Sequence, residues 1–250
     1  MSPPPRVQIR YAVLSDIHGN LEALTAVLDH LSVRGADAIL CLGDVVGYGA
    51  DPIPCVEKLA DREARLIAGN HEYGTTGRLD LRWFNPYARA AALWTASRLD
   101  DAHRTFLAGL PPALEVEDAT LVHASPRNPE DWDYLISAEE GFEAFSAFTT
   151  RLCFVGHSHR PAAWSLGSSG PEFDPLPETV RFESGRRYIV NVGSVGQPRD
   201  GNARACYAVW DLDAGGVSLH RVPYDIARAR AKILNAGLPR FLGDRLVDGR

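Results

Sequence analysis

Five of the eight histidines stand directly after short apolar segments of the chain. These five are His18, His71, His123, His157 and His159. Oxygen donors stand beside them, and these are Asp16, Asp44 and Asn70. Imidazole and carboxylate groups together are ligands that first-row metals prefer in proteins. The residue types therefore predict a metal site, with Mn as the expected ion and Fe, Co, Ni or Zn as alternatives.

The spacing of these residues lets neighbours point at one ion. Asp16 and His18 are two residues apart, and so are His157 and His159. Side chains two apart in an extended segment share a face. The two oxygens of Asp44 allow it to bridge two ions, which then lie about 3.5–4 Å apart and hold both the attacking and the leaving oxygen of a displacement. We therefore expect two divalent metal ions as cofactors.

The charge of such a site suits an anionic substrate. Two divalent ions bring about four positive charges, of which Asp16 and Asp44 remove about two. The whole chain has a net charge of −6 and no evident cluster of Lys and Arg, whereas proteins that bind nucleic-acid backbone show a basic face. The predicted partner is a small phosphate ester and not a long nucleic acid.

Continuously apolar segments precede the polar groups and indicate buried strands. They are Val7–Leu14, Ala38–Leu42, Leu66–Ala68, Thr120–Val122, Leu152–Val155 and Tyr188–Val190, with a hairpin from Ala205–Asp211 and Val217–Val222. Predicted helices begin with one whose apolar face holds Leu21, Leu24, Val27, Leu28 and Leu31, and continue at Pro52–Ala60, Pro86–Arg98, Ala138–Thr149 and Asp225–Ala236. The alternation predicts an α/β fold with its site at the carboxyl ends of the strands. The Ser-, Gly- and Pro-rich segment Gly167–Pro177 predicts an exposed loop.

Length and composition indicate one globular domain. The 250 residues are 45% hydrophobic, so we expect a disordered tail at 1–6 and a single domain at 7–250. The four cysteines form no CxxC and predict buried, reduced thiols. No signal-peptide pattern and no apolar run near the ~20 residues of a membrane span stand out, which predicts a cytoplasmic protein without membrane contact. The oligomeric state stays open, with a homo-oligomer among the alternatives.

Five ordered motifs resemble those of the calcineurin-like metallophosphoesterase family. They are Asp16-x-His18, Gly43-Asp44, Gly69-Asn70-His71, His123 and Gly156-His157-x-His159. Order and spacing agree over residues 8–160, and Asn191–Arg199 resembles a loop of the small bacterial members. The resemblance implies a two-sheet α/β sandwich with flanking helices. It also implies a dinuclear-metal-dependent hydrolase of small phosphate esters, above all a phosphodiesterase, with cyclic nucleotides among its substrates.

The resemblance also implies a role for each residue of the motifs. One ion would be held by Asp16, His18 and His159. The other would be held by Asn70, His123 and His157, and Asp44 would bridge the two. His71 would face the substrate and assist the attack of a metal-bound hydroxide, by stabilising charge on the phosphate or protonating the leaving oxygen.

Substrate contacts are expected outside the motifs. Arg199 and Arg127 could reach a phosphate, and the aromatic side chains Trp83, Phe84, Trp132 and Tyr134 stand in loops that should roof the site. Either these rings pack against a loop or a subunit, or one of them, such as Trp132, stacks on a nucleobase.

Other activities of the same site stay open. A nucleotide pyrophosphate hydrolase or a phosphomonoesterase would use the same ligands, and some relatives are non-catalytic scaffolds. Family protein phosphatases carry an acidic residue three places after the bridging Asp, where this chain has Gly47. Those protein phosphatases and the symmetrical dinucleoside tetraphosphate hydrolases both carry an Arg at the position where this chain has Ala68. Both departures argue against those two activities.

Overall fold

The computed structural model describes residues 9–250 of the chain. The predicted tail at residues 1–6 lies outside the described residues. The strands are β1 (Arg10–Leu14), β2 (Ala38–Cys41), β3 (Arg65–Leu66), β4 (Ala113–Val116), β5 (Ala119–Val122), β6 (Leu152–Val155), β7 (Ala162–Gly167), β8 (Gly170–Asp174), β9 (Thr179–Arg181), β10 (Arg187–Asn191), β11 (Ala205–Asp211) and β12 (Gly216–Val222). The helices are α1 (Leu21–Arg34), α2 (Pro52–Ala60), α3 (Asn70–Thr76), α4 (Pro86–Ala96), α5 (Asp101–Ala108), α6 (Ala138–Ala144), α7 (Ile226–Asn235) and α8 (Arg240–Asp248). Short 3-10 turns lie at Leu81–Trp83, Pro129–Asp131 and Phe145–Ala147.

The strands form two mixed sheets of six strands each. The first has the order β3-β2-β1-β11-β12-β9 and the second the order β4-β5-β6-β10-β7-β8. Each sheet contains three neighbouring parallel strands, which are β1, β2 and β3 in the first and β5, β6 and β10 in the second. Antiparallel strands extend both trios. This arrangement, with its flanking helices, confirms the predicted two-sheet α/β sandwich.

Side chains of the central strands alternate between two apolar layers, as the pleat of a strand requires. Tyr11 and Val13 of β1 belong to the cluster that joins the two sheets, together with Phe154 of β6. Ala12 and Leu14 belong instead to the cluster beneath the helices of the first sheet. The central strands are thus covered on both faces, which explains why their sequences are continuously apolar.

Helix α1 begins directly after the first motif and holds that motif in place. The side chain of Asn20 caps it by accepting a hydrogen bond of 3.1 Å from the backbone N–H of Ala23. The predicted apolar face is confirmed, because four of its leucine and valine side chains are buried. They are Leu24, Val27, Leu28 and Leu31.

Most predicted elements are present, with shifted ends. Predicted strand Ala205–Asp211 and helix Pro52–Ala60 match β11 and α2, whereas α4 ends at Ala96 and α6 at Ala144. The prediction of a loop at Gly167–Pro177 is wrong, because β8 lies there and pairs with β7. The pairing places Phe173 against the buried ring of Trp164, with centroids 5.2 Å apart.

Two further expectations can be compared with the structure. All four cysteines are free and buried, as predicted. No helix in the part of the chain that the structure describes is both long and apolar enough to cross a membrane.

Truncating the apolar face of α1 should destabilise the fold. Leu24 has 0% of its surface exposed and Val33, on the same helix, has 87%. We expect Leu24→Ala to lower the free energy of unfolding by about 2–5 kcal/mol because it leaves a cavity. The control Val33→Ala should change it by no more than about 0.5 kcal/mol. Urea unfolding measures both, and equal effects would contradict the burial assigned to this face.

Candidate metal centre

The carboxyl ends of the parallel strands from both sheets meet at one edge of the sandwich. The first sheet contributes Asp16 after β1, Asp44 after β2 and Asn70 at the start of α3 after β3. The second contributes His123 after β5, and His157 and His159 after β6. Backbone hydrogen bonds join the loops, such as that of 2.8 Å from the His18 N–H to the Asp44 carbonyl. The fold thus brings together residues that are far apart in sequence.

The possible metal-ligating side chains form two neighbouring groups. Possible ligand atoms of Asp16, His18 and His159 lie within 4.8 Å of one another, and so do those of Asp44, His123 and His157. The first group is the set that the resemblance implied for one ion, and the second joins His123 and His157 of the other set to Asp44, the residue expected to bridge. His18 and Asp44 also lie within 4.8 Å of His71.

Backbone carbonyls fix the tautomers of three of these histidines. The Nδ1 atoms of His18, His123 and His159 contact the carbonyl oxygens of Val46, Leu42 and Gln197 at 3.1, 2.8 and 2.6 Å. A carbonyl only accepts, so each Nδ1 carries the proton and each neutral ring keeps a lone pair on Nε2.

Those lone pairs face other ligand atoms at short range. Nε2 of His123 lies 3.2 Å from Nδ1 of His157, and the Nε2 atoms of His18 and His159 are 3.1 Å apart with a lone pair on each. Two facing lone pairs repel each other unless a cation lies between them. Ligand nitrogens about 2.1 Å from one ion, at roughly a right angle, are about 3 Å apart, so the observed spacing suits two ligands of one ion.

Each carboxylate has one oxygen held by the backbone and one directed at the histidines. The His157 N–H donates to Oδ2 of Asp16 at 3.0 Å, and the His71 N–H donates to Oδ1 of Asp44 at 2.8 Å. Oδ1 of Asp16 is buried without a hydrogen-bond partner. Oδ2 of Asp44 lies 3.7 Å from Nε2 of His18 and 3.2 Å from Nε2 of His123, which is the position of a ligand shared by both groups.

The chemistry of the donor set fits divalent metal ions. Besides the two carboxylates and the imidazoles, Oδ1 of Asn70 is buried and has no hydrogen-bond partner. An orphaned buried acceptor is costly, and a bound cation would satisfy it. The observed residues therefore suit the metals that nitrogen and oxygen ligands bind together.

Mutual electrostatics set the protonation of the cluster. Burial opposes the charged form of Asp16 and Asp44, but His159 beside the first and His123 beside the second outweigh it and hold both pKa values below their usual range. Burial lowers the pKa of His157 to about 3. At His123 the charge of Asp44 outweighs burial and raises the pKa to about 9. A metal ion that binds this pair must displace the proton of His123.

Several of these residues have left-handed backbone conformations. Their φ angles lie between 50° and 61°, and the residues are Asp16, His18, Asp44, His157 and His159. Such a conformation costs non-glycine residues about 1–3 kcal/mol and persists only where the surroundings enforce it, often at functional sites. The conformation lets residues two apart aim at the same point.

Glu72 is a structural residue of the site that is absent from the predicted ligands. Its buried carboxylate accepts four backbone N–H bonds, from Asp44, Val45, Val46 and Gly69, at 2.7, 2.8, 3.2 and 2.8 Å. Burial and the charge of Asp44 raise its pKa to about 7, although the backbone donors lower it. The side chain thereby ties the loop after β2 to the start of α3.

A cleft of about 660 Å³ opens beside the cluster. Its walls include the four predicted roof residues, Trp83, Phe84, Trp132 and Tyr134, and its base includes Asn70, His71 and His157. Tyr134 stacks on His157 with centroids 4.1 Å apart. Tyr48 also lines the cleft, and its ring centroid lies 4.5 Å from those of both His18 and His71.

The predicted substrate contacts differ in position. Arg199 lies near the cluster, with its guanidinium 5.7 Å from the centre of the Tyr48 ring. The edge of Trp132 approaches His123 at 6.0 Å between centroids. Arg127 is exposed and pairs with Glu143 at 2.5 Å, and it does not line the cleft. The sequence position of Arg127, four residues after His123, does not show that Glu143 pairs with it outside the cleft.

Comparison with known proteins assigns this arrangement to a family. Residues 9–215 match the model of the calcineurin-like phosphoesterase superfamily domain. The chain is also 40% identical over 250 residues to an uncharacterized protein of Methanocaldococcus jannaschii, with 98% of this chain and 100% of that protein covered. The chain belongs to the calcineurin-like phosphoesterase superfamily.

Solved structures agree with this assignment. A metallophosphoesterase from Sphaerobacter thermophilus is 41% identical, with a TM-score of 0.84 and coverage of 98% of this chain and 100% of that chain. A hypothetical protein from Pyrococcus horikoshii OT3 shares the fold at 22% identity and a TM-score of 0.76, with 97% and 99% covered. The protein is therefore a phosphoesterase of a family that uses divalent metals, as the motifs predicted.

The position of His71 explains one departure of this calcineurin-like phosphoesterase from the family's protein phosphatases. Gly47 replaces their acidic residue and has a φ angle of 86°. A Cβ atom at this position would lie 2.1 Å from Nδ1 of His71. Any side chain there would displace the imidazole, so this arrangement requires glycine.

Removing one acceptor oxygen of Glu72 should destabilise the loops that carry the metal centre and lower its metal content. Glu72→Gln replaces it with an amide N–H₂ that faces backbone donors, and each buried unsatisfied donor costs about 1–3 kcal/mol. We expect lower stability in urea and less bound Mn by mass spectrometry. The control Glu139→Gln changes an exposed residue of α6 and should alter neither. If both variants behaved alike, Glu72 would not hold the loops.

Proposed function

We propose that the protein is a dinuclear-metal-dependent phosphodiesterase of small phosphate esters, cyclic nucleotides among them. The observation that carries this proposal is the pair of ligand groups that share Asp44 beside a cleft with aromatic walls. A site of this kind suits displacement at phosphorus. The four buried free thiols fit a reducing compartment such as the cytoplasm.

The proposed ligands follow the two groups. Asp16, His18 and His159 would hold one ion, Asn70, His123 and His157 would hold the other, and Asp44 would bridge them. When bound, two divalent ions supply positive charge for the phosphate oxygens and activate water as the nucleophile. Mn is the proposed metal because the donor set mixes imidazole with carboxylate and amide oxygen.

His71 is proposed to act on the substrate. It is only 3% exposed, its ring lines the base of the cleft, and Tyr48 and Phe84 pack against it at 4.5 and 5.0 Å between centroids. Burial lowers its pKa to about 4, so the ring is neutral at neutral pH and donates an N–H to the phosphate or to the leaving oxygen.

The walls of the cleft favour a diester with a flat, uncharged arm. Trp83 lines the cleft with 84% of its surface exposed and offers a face for stacking. The cleft also carries the carboxylates of Glu130, Asp131 and Asp133, which repel an anionic group on this side. A pyrophosphate or a phosphomonoester brings more negative charge to the same place, so we prefer the diester.

Activity should depend on metal, and on Asp44 more than on any ligand of a single ion. Chelation should abolish hydrolysis of bis(4-nitrophenyl) phosphate, and added Mn should restore it. Asp44→Ala should lose more bound metal than His18→Ala, because a bridging ligand serves both ions; mass spectrometry measures the occupancy. Full activity of protein shown to contain no metal would rule out the proposed mechanism.

The role of His71 can be separated from metal binding. His71→Ala should keep both ions and the fold but lose turnover by about 10²–10³-fold, the usual cost of removing one hydrogen-bond donor to developing charge. The control His103→Ala changes a histidine of α5 that pairs with Asp100 and does not line the cleft. An unchanged rate would remove His71 from the mechanism, and a loss of metal would make it a ligand.

A further inference from the structure

The imidazole of His71 lacks the hydrogen bond that orients three other histidines of the cluster. Its Nδ1 is buried and has no hydrogen-bond partner in the described part of the chain, whereas backbone carbonyls fix Nδ1 of His18, His123 and His159. The backbone of His71 is held, because its N–H donates to Asp44 at 2.8 Å. The torsion that turns an imidazole about its Cβ–Cγ bond has only broad minima, so the orientation of this ring depends on its packing.

Two aromatic rings enclose this imidazole. The ring centroids of Tyr48 and Phe84 lie 4.5 and 5.0 Å from that of His71, at interplanar angles of 57° and 54°. Aromatic rings attract each other at such separations. The backbone of Gly47 closes a third side, where a Cβ atom would lie 2.1 Å from Nδ1 of His71. Ring contacts and a bare stretch of backbone therefore limit the rotation of the imidazole.

The ring of Tyr48 is itself held firmly. Its side chain is only 7% exposed and belongs to an apolar cluster with residues of α4, α7 and α8. Its backbone is left-handed, with a φ angle of 55°, and a Cβ atom at the following Gly49 would lie 2.3 Å from the carbonyl oxygen of His18. The loop thus presses Tyr48 against the cluster, where its ring also lies 4.5 Å from that of His18.

The ring of Phe84 reaches His71 through a gap in α3. Gly74 stands three residues after His71 on this helix, so the two share a face. A Cβ atom at Gly74 would lie 2.8 Å from Cζ of Phe84. The backbone N–H of Phe84 donates to the carbonyl of Leu81 at 3.2 Å, which fixes the point from which the side chain starts. A glycine one turn along the helix therefore lets the phenyl ring approach the imidazole.

We propose that Tyr48 and Phe84 are positioning residues that hold the imidazole of His71 in its productive orientation through ring contacts, without a hydrogen bond to Nδ1. The proposal rests on the substrate role proposed for His71 in phosphodiester hydrolysis. A group that acts on substrate must stay within about 0.5 Å of its productive position, and a displacement of about 1 Å can cost about 10²-fold in rate. Loss of either ring should therefore slow turnover while metal and substrate still bind.

Steady-state kinetics of the Mn-loaded protein with bis(4-nitrophenyl) phosphate test this role. Phe84→Ala and Tyr48→Ala should lower kcat by about 10–10²-fold, with KM and bound Mn little changed. Tyr48→Phe keeps the ring and should recover most of the loss. The control Tyr87→Ala removes an exposed ring of α4 that does not line the cleft and should match the wild type. Where Tyr48→Ala does not fold, Phe84→Ala decides.

A double variant shows whether a ring acts through His71. Added to His71→Ala, Phe84→Ala should lower kcat no further, because no imidazole is left to position. The full additional loss in the double variant would mean that Phe84 acts independently of His71. A raised KM with unchanged kcat in Phe84→Ala would mean that the ring contacts the substrate. Either result would overturn the proposal.

The mobility of the imidazole gives a readout that does not need turnover. In Zn-loaded protein labelled with ¹³C at the histidine Cε1 atoms, the resonance of His71 is the one that His71→Ala removes. Its ¹³C relaxation should show a more mobile ring in Phe84→Ala than in the wild type, Tyr48→Phe or Tyr87→Ala. A ring that stays equally rigid in Phe84→Ala would overturn the positioning role. Absence of hydrolysis with every metal would overturn the phosphodiesterase function instead, and the relaxation would still decide what holds the ring.

Discussion

The carboxylate of Asp44 is the contact on which the rest of the site depends. One of its oxygens is held by the backbone of His71, and the other faces histidines from both ligand groups. Glu72 fixes the same loop through four backbone donors. The position of one side chain therefore sets the distance between the two groups and the place of His71. Both sheets must be in register for this arrangement to form.

Holding such a centre together works against stability. Left-handed backbone at five cluster residues and the burial of two carboxylates among imidazoles both oppose folding. The apolar cluster between the sheets and the helix-covered clusters outside them offset these costs. Metal binding adds to the balance, because ions bind the folded arrangement and not the unfolded chain. The stability of this edge of the sandwich is therefore coupled to metal occupancy of the site.

The strand-end motifs could be predicted because each one is local: an apolar segment followed by a polar residue marks a strand that enters the site. The partners of these motifs could not. Tyr48 belongs to none of the motifs, and only tertiary packing brings its ring to 4.5 Å from the rings of His18 and His71. Arg127 is four residues after His123 in sequence, yet it pairs with Glu143 and does not line the cleft. Strand β8 looked like a loop because its Gly- and Pro-rich sequence hid the stacking of Phe173 on Trp164.

The glycine at position 47 has a consequence for how the loop after β2 can vary. A Cβ atom there would lie 2.1 Å from Nδ1 of His71, and the φ angle of 86° is one that residues with a side chain rarely adopt. A steric limit set by a neighbour and a conformational limit set by the backbone therefore act on the same residue. Relieving one of them leaves the other in force, so this loop and the ring of His71 can change only together.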